Sequence, residues 1–263
     1  MDLGLKDSKA LVTGSSRGLG YATALGLSQE GCQVTINSRN VDKLQAAERK
    51  LSALTGSQVN TICADITQPD SAEKIIGKAV KTMDGLDILI TNSGGPPSGA
   101  FEDFDDEAWL NALNLNFLSH MRLIRAALPF LKKSNIASVL TITSMSVKQP
   151  VPNLVLSNSV RSATIGLTKS LCLELGHFGI RFNSILPGWT QTERVQELMA
   201  FRAETNQTTI EKEISKQALD SPFNRLASPQ EFANVAVFLV SPAASYLTGT
   251  MLVVDGGMYK ATY

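Results

Sequence analysis

The sequence predicts a doubly wound α/β fold, in which helices cover both faces of a seven-stranded parallel sheet. Short apolar runs rich in Val, Ile, Leu and Thr alternate with segments of helical period, which is typical of this arrangement. The chain has 263 residues, of which 43% are hydrophobic, so it is long enough to bury one core near the upper size of a single domain. Residues 1–263 are therefore expected to form one domain.

Seven segments are predicted to be strands because each is short, apolar and rich in β-branched residues. In chain order they are Lys9–Thr13, Gln33–Ser38, Gln58–Cys63, Ile88–Thr91, Ser138–Ile142, Arg181–Leu186 and Met251–Val254. Folds of this kind bind ligands at the carboxyl ends of the strands. Functional residues are therefore expected in the segments that follow the strands.

Helices are predicted between the strands, and three of them carry clear start or stop signals. Leu19–Glu30 ends before Gly31, and Val41–Leu54 follows Asn40, whose side chain is a good N-cap. Ser71–Met83 begins shortly after a proline, which favours a helix start. Each of these helices connects two predicted strands.

A long polar segment, Gln191–Ala227, lies between the sixth predicted strand and the last helix. Connections of this kind usually have about two to six residues, and much longer ones are usually functional or disordered. We expect residues 191–227 to form a partly helical lid over a substrate site, and we call this segment the lid. The alternative is a solvated surface excursion.

Charge and hydropathy exclude several classes of partner. The formal net charge is zero and no Lys/Arg block stands out, so the electrostatic footprint of a nucleic-acid or anionic-membrane binder is missing. The apolar stretches are far shorter than the roughly 18 residues of a membrane span, and residues 1–8 lack the apolar region of a signal peptide. The prediction is a cytoplasmic protein that binds a small molecule, with no nucleic acid and no membrane.

The cysteines and histidines suggest neither disulfides nor a metal site. Cys32, Cys63 and Cys172 are odd in number, lack CxxC spacing and lie in or beside apolar segments, where buried free thiols are common. His120 and His177 lie far apart, so the usual spacings give no zinc site. Free thiols fit a reducing compartment.

A glycine-rich turn, Thr13 to Gly20, joins the first predicted strand to the first helix. Glycines allow the tight turn and the close approach of the backbone to a pyrophosphate, whose charge is then held at the helix N-terminus. A plain strand-to-helix turn is the alternative, but the position at the start of a βαβ series favours a Rossmann-type dinucleotide site. The residues predicted to contact a nicotinamide dinucleotide here are Gly14, Ser16, Arg17, Gly18, Leu19 and Gly20.

The end of the second predicted strand indicates which dinucleotide is bound. An NAD-selective site places Asp or Glu about 20 residues after the turn, where it holds the ribose 2′-hydroxyl. This chain has Ser38 and Arg39 there. A guanidinium group matches a 2′-phosphate, and Arg17 is a second candidate clamp. We therefore expect NADP(H) to be preferred over NAD(H).

With these residues in place, the chain resembles the short-chain dehydrogenase/reductase family, and it closely resembles the 3-oxoacyl-ACP reductase-like branch. The motifs that carry the resemblance beyond the turn are Asp65-Ile66, Asn92-Ser93-Gly94, Asn116, Ser144, Pro187-Gly188 and Asp255-Gly256-Gly257. The resemblance implies catalytic roles for Asn116 and Ser144. The further cofactor contacts that it implies are Asp65, Ile66, Asn92, Ser93, Gly94, Pro187, Gly188 and Thr190.

The resemblance breaks at the catalytic pair. The family carries Tyr and Lys four residues apart on one helix, with the Tyr thirteen residues after the Ser. Counted from Ser144, those positions hold Ser157 and Arg161. Enoyl reductases have a longer spacing between the Tyr and the Lys, and that spacing would need a tyrosine where this chain has Leu154. The apolar residues expected to form the buried stripe of this helix are Val160, Ala163, Leu167, Leu171 and Leu175.

The two replacements change the acid–base chemistry that the resemblance implies. Hydride addition to a carbonyl builds an alkoxide, which needs hydrogen-bond donors and then a proton. Ser144 still supplies a donor, but the Ser157 hydroxyl is a far weaker acid than a phenol. Arg161 keeps a positive charge and donors for the nicotinamide ribose, but it is not a proton relay.

Two other side chains are candidate proton donors. Lys148 lies four residues past Ser144, although a solvated surface lysine is the expected role. His120 lies one helical turn past Asn116 and faces a similar direction, although a helix-surface or interface histidine is expected. His177 is expected in a surface loop.

The sequence therefore predicts an NADP(H)-dependent carbonyl reductase or alcohol dehydrogenase with an atypical active site. A cofactor-binding sensor, scaffold or inactive subunit is the alternative, and a lyase or isomerase on the same fold is a third possibility. The resemblance suggests a 3-oxoacyl thioester, a sugar or a hydroxysteroid-like carbonyl as the substrate. It also implies a homotetramer or homodimer.

Overall fold

The seven predicted strands lie side by side in one parallel sheet. In the computed structural model, which describes residues 2–262, they are β1 (Lys9–Val12), β2 (Gln33–Ser38), β3 (Asn60–Cys63), β4 (Ile88–Thr91), β5 (Ser138–Ile142), β6 (Arg181–Pro187) and β7 (Met251–Val254). Their order is β3-β2-β1-β4-β5-β6-β7, and each neighbouring pair is parallel. The order reverses between β1 and β4, where a doubly wound sheet binds its ligand. The predicted fold class is confirmed.

Helices cover both faces of this sheet. In chain order they are α1 (Gly18–Gln29), α2 (Val41–Thr55), α3 (Ser71–Met83), α4 (Asp106–Leu113), α5 (Ser119–Leu131), α6 (Val155–Leu175), α7 (Glu193–Thr205), α8 (Ile210–Ala218) and α9 (Pro229–Val240). One apolar core joins α1, α2 and α9 to the sheet, and a second joins α3, α5 and the end of α6 to it. The two faces alternate along β1, since Ala10 and Val12 belong to the first core and Leu11 to the second.

The predicted start and stop signals act as expected. The Asn40 side chain accepts a hydrogen bond from the backbone N–H of Lys43 at 2.9 Å and so caps α2. Gly31, just beyond α1, has a φ of +81°, which glycine adopts without steric cost. Helix α3 has the predicted bounds, and α1 begins one residue before the predicted Leu19.

Three strand boundaries differ from the prediction. β1 ends before Thr13, whose hydroxyl instead bonds the backbone N–H and carbonyl of Asn92, both at 2.9 Å, as the chain leaves the sheet. β6 extends to Pro187, which stays in register with Val254 of β7. β3 begins at Asn60, two residues later than predicted.

The predicted buried stripe of α6 is partly wrong. Val160 and Leu175 are buried, but Leu167 and Leu171 are only half-buried and Ala163 is exposed. The residues that this helix buries instead are mostly polar: Leu156, Ser157, Arg161, Thr164 and Thr168. Apolar periodicity missed this face because Arg161, Thr164 and Thr168 donate hydrogen bonds to backbone carbonyls at the end of β5, at Asn116 and within α6 itself.

Burial of the cysteines also departs from the prediction at one position. Cys32 is buried, but Cys63 is exposed, because β3 is an edge strand on which Ile62 points inwards and Cys63 outwards. All three cysteines are free thiols. Within residues 2–262, no helix is long and apolar enough to cross a membrane, and no group of His, Cys, Asp and Glu is arranged to hold a metal ion.

The lid contains helices α7 and α8, and its two ends meet beside the sheet. The backbone N–H of Gln191 donates to the carbonyl of Ala227 at 2.8 Å, and the N–H of Ala227 donates to the carbonyl of Trp189 at 3.0 Å. The segment therefore leaves the carboxyl end of β6 and returns to it. This geometry matches the predicted partly helical segment.

Candidate functional site

A cavity of about 580 Å³ runs along the carboxyl ends of the strands. Most of the predicted site residues line it: Gly14, Ser16, Arg17, Gly18, Leu19, Ser38, Arg39, Asp65, Ile66, Asn92, Ser93, Gly94, Ser144, Ser157, Arg161, Pro187, Gly188 and Thr190. Gly20 and Asn116 are not part of its wall. The chain thus brings residues that follow β1 to β6 together around one groove.

The glycine turn has the geometry that an anion site requires. Gly14 and Gly18 have φ values of +57° and +60°, which glycine adopts most readily. A Cβ at Gly20 would lie 2.5 Å from the carbonyl oxygen of Gly14, so a side chain there would disrupt the turn. Helix α1 has no side-chain N-cap and no acid in its first turn. Its free N–H groups and dipole therefore fit a pyrophosphate.

The predicted 2′-phosphate end of the cavity carries hydroxyl groups and a guanidinium group. Ser16 Oγ and Ser38 Oγ lie 3.1 Å apart, and Arg39 is an exposed residue beside them on the cavity wall. No acid occupies the end of β2. This donor set fits a phosphate better than a free ribose hydroxyl.

Arg17, the second candidate clamp, is paired with the lid. Its Nη1 lies 2.7 Å from Oε1 of Glu197 on α7, and this contact lowers the pKa of the Glu197 carboxyl. Both side chains are about half exposed, and exposed ion pairs contribute about 0–1 kcal/mol. Arg17 is thus available to an anionic ligand at small cost. Sequence reasoning did not identify Glu197.

Two further contacts shape the middle of the groove. Asp65 Oδ1 accepts hydrogen bonds from the backbone N–H and the hydroxyl of Thr67, at 2.9 and 2.8 Å, which holds the turn after β3. Asn92 Nδ2 donates to the carbonyl of Gly14 at 2.9 Å and ties the loop after β4 to the glycine turn. These contacts are structural supports for the cavity wall.

Two serine side chains, Ser144 and Ser157, line the cavity. Ser144 lies after β5, and its Oγ accepts a hydrogen bond from the backbone N–H of Ser146 at 3.1 Å, which leaves its own O–H to donate. Ser157 is buried in α6 and lines the same cavity. Within residues 2–262, the Ser157 hydroxyl has no hydrogen-bond partner. Both hydroxyls are therefore available to a ligand.

Arg161 lies one helical turn beyond Ser157 and is 7% exposed. Its Nη1 donates to the carbonyls of Ile142 at 3.3 Å and Thr143 at 3.2 Å, and its Nη2 donates to the carbonyl of Gly94 at 3.4 Å. Burial lowers the pKa of Arg161 to about 10, so the side chain is still charged at neutral pH.

Asn116 supports the wall from behind. It lies in a π-helical turn between α4 and α5, where its Nδ2 donates to Ser93 Oγ and to the carbonyl of Gly94, both at 2.8 Å. The backbone carbonyl of Asn116 accepts a hydrogen bond from Thr164 Oγ1 at 2.6 Å. The geometry makes Asn116 a positioning residue for the loop after β4.

The prediction of a surface or interface histidine at position 120 is wrong. His120 is fully buried, with Nδ1 2.8 Å from Thr91 Oγ1 and Nε2 3.1 Å from Ser93 Oγ. Burial, together with the charge of Arg161, lowers its pKa to about 3, so the imidazole is neutral. The sequence did not show that two hydroxyls from β4 and its loop meet this side chain.

Neither alternative proton donor reaches the cavity. His120 and Lys148 are absent from its wall. Lys148 is exposed, with its Nζ 5.4 Å from the centre of the Tyr259 ring. His177 is exposed beside Phe178, which confirms the predicted surface position.

A second cavity of about 500 Å³ lies between the lid and the loop after β5. It shares part of its wall with the first cavity, including Met145, Leu154 and Trp189. The lid lines it with polar groups, among them Arg202, whose Nη1 donates to Gln217 Oε1 at 2.7 Å. Sequence reasoning missed Trp189, which precedes the lid and belongs to no motif.

The fold and this glycine-lined cavity are those of the dinucleotide-binding oxidoreductases. Comparison with known proteins identifies the family to which the chain belongs. A family model described as enoyl-(acyl carrier protein) reductase matches residues 14–259. The chain therefore belongs to the short-chain dehydrogenase/reductase family, and the dehydrogenases and reductases to which it is similar support an oxidoreductase that acts on CH–OH or C=O groups.

Similar proteins cover nearly the whole chain. Dehydrogenase/reductase SDR family member 4 of Sus scrofa is 34% identical, over 96% of this chain and 88% of its own length. Glucose 1-dehydrogenase of Gluconobacter oxydans is 31% identical, over 95% and 91%. The structure of L-sorbose reductase from Gluconobacter frateurii, complexed with NADPH and L-sorbose, matches with a TM-score of 0.95 at 30% identity, over 99% and 100%.

Proposed function

We propose that this protein is an NADP(H)-dependent carbonyl reductase or alcohol dehydrogenase that holds the reacting oxygen with Ser144, Ser157 and Arg161. The observation that carries the proposal is a shared cavity: the glycine turn, Arg39 and these three residues all line the same groove. A dinucleotide bound along the groove would thus extend from α1 towards these hydroxyls. The similarity to NADPH-bound reductases supports this assignment.

The residues at the end of β2 support NADP(H) over NAD(H). Ser16, Ser38 and Arg39 provide donors for a 2′-phosphate, and Arg17 adds a second cation when it leaves Glu197. When bound, NADPH supplies the hydride that reduces a carbonyl carbon. The chain's own residues bind it, orient it and stabilise the oxygen that gains charge.

The catalytic end works with donors rather than with a strong acid. The Ser144 and Ser157 hydroxyls donate to the reacting oxygen, and the Arg161 charge stabilises the negative charge that develops there. Since a serine hydroxyl is a weak acid and a guanidinium keeps its protons, water or a substrate group supplies the final proton. General acid–base catalysis contributes typically 10²–10⁴-fold, so turnover is expected to be slow rather than absent.

The second cavity is the proposed substrate site, and residues 191–227 are its lid. The substrate is a small carbonyl or alcohol compound, and two of the relatives named above, glucose 1-dehydrogenase and L-sorbose reductase, are named for sugars. By its sequence motifs, the chain resembles the 3-oxoacyl-ACP reductase-like branch. We further propose that the protein acts in the cytoplasm as a homotetramer or homodimer.

The experiment is a panel of ketones, aldehydes and alcohols offered with NADPH or NADP⁺, in which absorbance reports the cofactor. Each assay is paired with a substrate-free control and with a Ser144→Ala variant. We expect turnover with at least one carbonyl, reduced in the variant. NADPH binding without turnover on any compound would contradict the reductase proposal.

The missing phenol favours a second candidate, a cofactor-binding sensor or scaffold. Ser157 and Arg161 stand where the resemblance implies Tyr and Lys, and the Arg161 guanidinium is bonded to three backbone carbonyls, which supports a site without a tyrosine–lysine relay. This candidate predicts that NADPH binds and changes the lid or an assembly without being oxidised. The panel separates the two candidates.

A further inference from the structure

Arg161 is a buried cation without an anionic partner. The ion pairs of residues 2–262 all lie elsewhere, and none involves Arg161. An unpaired buried charge costs free energy, which three carbonyl bonds of 3.2–3.4 Å offset only in part. A negative charge in the adjoining cavity would complete the environment of this guanidinium.

The groups around Arg161 are rich in free donors. Ser157 lines the cavity, and its hydroxyl is unpartnered within residues 2–262. Ser144 has a free O–H. A guanidinium beside these hydroxyls suits a carboxylate, which offers about four acceptor positions.

The dinucleotide does not account for this charge. Its phosphates fit the turn after β1 and the end of β2, where α1 and Arg39 lie. Arg161 instead bonds the carbonyls of Gly94, after β4, and Ile142, in β5. Since β2, β1, β4 and β5 are successive strands of the sheet, the cation lies one strand beyond the turn after β1 and two beyond the 2′-phosphate end.

We propose that Arg161 and Ser157, which hold the reacting oxygen together with Ser144, also bind a carboxylate next to it, and that the substrates of this protein are carbonyl compounds with a carboxylate beside the carbonyl. The proposal rests on the reductase function proposed above and names its substrate class. In the reduction, the carbonyl carbon gains a hydride and its oxygen gains a proton from water, so a 2-oxo acid becomes a 2-hydroxy acid as the dinucleotide is oxidised. The carboxylate itself is unchanged and serves to orient the carbonyl.

Binding of oxamate, a 2-oxo acid analogue, is compared with binding of oxamide, its neutral counterpart, by calorimetry with and without NADP⁺. We expect oxamate to bind about 10- to 100-fold more tightly, since a charge-assisted contact is at stake, and less tightly as salt is raised. Equal affinity for the two compounds in the native protein would overturn the proposal. This outcome does not depend on any variant folding.

Variants of Arg161 test whether its guanidinium is the group that binds the carboxylate of oxamate. Arg161→Met is expected to abolish the preference for oxamate, whereas Arg161→Lys retains part of it. Arg125→Met is the matched control, because Arg125 is an exposed cation on α5 outside both cavities. Loss of the preference in the control, or its persistence in a folded Arg161→Met protein, would overturn the assignment.

The two proposals fail differently. If the protein binds oxamate through Arg161 but reduces no carbonyl compound, the reductase function fails and the anion site stands. If it reduces neutral ketones as well as their 2-oxo acid counterparts, the reductase function stands and the substrate class proposed here is wrong.

Discussion

At the residue scale, the proposed chemistry rests on three side chains, two of which occupy positions where the sequence departs from the family motif. Sequence reasoning identified Ser144, Ser157 and Arg161 by spacing, and the structure brings them to one cavity. It wrongly placed His120 at the surface, because the hydroxyl groups that bond the buried imidazole belong to β4 and the loop after it, and the sequence around His120 does not indicate them. Glu197 was likewise missed, since its partner Arg17 is 180 residues away.

Replacing Arg39 with Asp is expected to weaken NADPH binding by about 10- to 100-fold and to reduce or reverse the preference over NADH. The change removes a donor for the 2′-phosphate and adds repulsion. Calorimetry with both cofactors measures the effect, and Arg49→Asp, an exposed site on α2, controls for net charge. Equal dissociation constants of the native protein for NADPH and NADH would refute the claim.

Replacing Ser157 with Tyr together with Arg161 with Lys is expected to raise kcat for simple ketones by at least about tenfold. A phenol acts on the developing alkoxide, so its benefit belongs to the transition state and leaves KM little changed. Each single change should help little, because the phenol needs the ammonium to lower its pKa.

The control for this pair is Ser159→Tyr, which places the same ring on the exposed face of α6. An unchanged rate in the double variant, with NADPH bound normally, would mean that the cavity is not built for carbonyl reduction. That result would favour the sensor or scaffold.

At the element scale, the sequence predicted what alternation and capping determine and missed what tertiary contacts determine. Strand and helix positions followed from apolar runs and from signals such as Asn40 and Gly31. The inner face of α6 did not, because Thr164 and Thr168 are buried through hydrogen bonds rather than through apolarity. The π-helical turn that holds Asn116 has no sequence signature in this chain.

The contact of α5 with β4 through His120 predicts a pH dependence of stability. The folded-state pKa, about 3, is below the ordinary value of 6.5, so the folded protein binds fewer protons than the unfolded chain between these values. The contribution of His120 is therefore complete above about pH 6.5 and is lost as the pH falls towards 3, by at most about 1.4 kcal/mol per pH unit.

Urea unfolding of the native protein and of His120→Gln across this range tests the prediction. The glutamine variant should lose less stability on acidification than the native protein. Parallel pH profiles for the two proteins would show that His120 does not titrate on unfolding as described.

At the scale of the whole molecule, exposed apolar side chains remain on the outer helices. Leu110 of α4 is 64% exposed and Leu173 of α6 is 76% exposed, and Ala163 also faces outwards. Pairing of these helices between subunits would bury such positions, in line with the predicted homotetramer or homodimer.

Light scattering at micromolar concentration is expected to give the mass of a dimer or tetramer. Leu173→Glu should shift the mass towards the monomer, because it places a charge in the proposed contact. Leu54→Glu on α2, an equally apolar and exposed position, is the control. A monomeric mass of the native protein would refute the prediction.

The central claim is that this cavity transfers hydride between NADP(H) and a carbonyl carbon without a tyrosine. Mass spectrometry of the product formed from NADPH that carries deuterium at both hydrogen positions of the nicotinamide C4 tests it most directly. With the best compounds of the panel, 2-oxo acids among them, we predict one deuterium on the carbinol carbon. Bound NADPH that passes no deuterium to any carbonyl compound would contradict the claim.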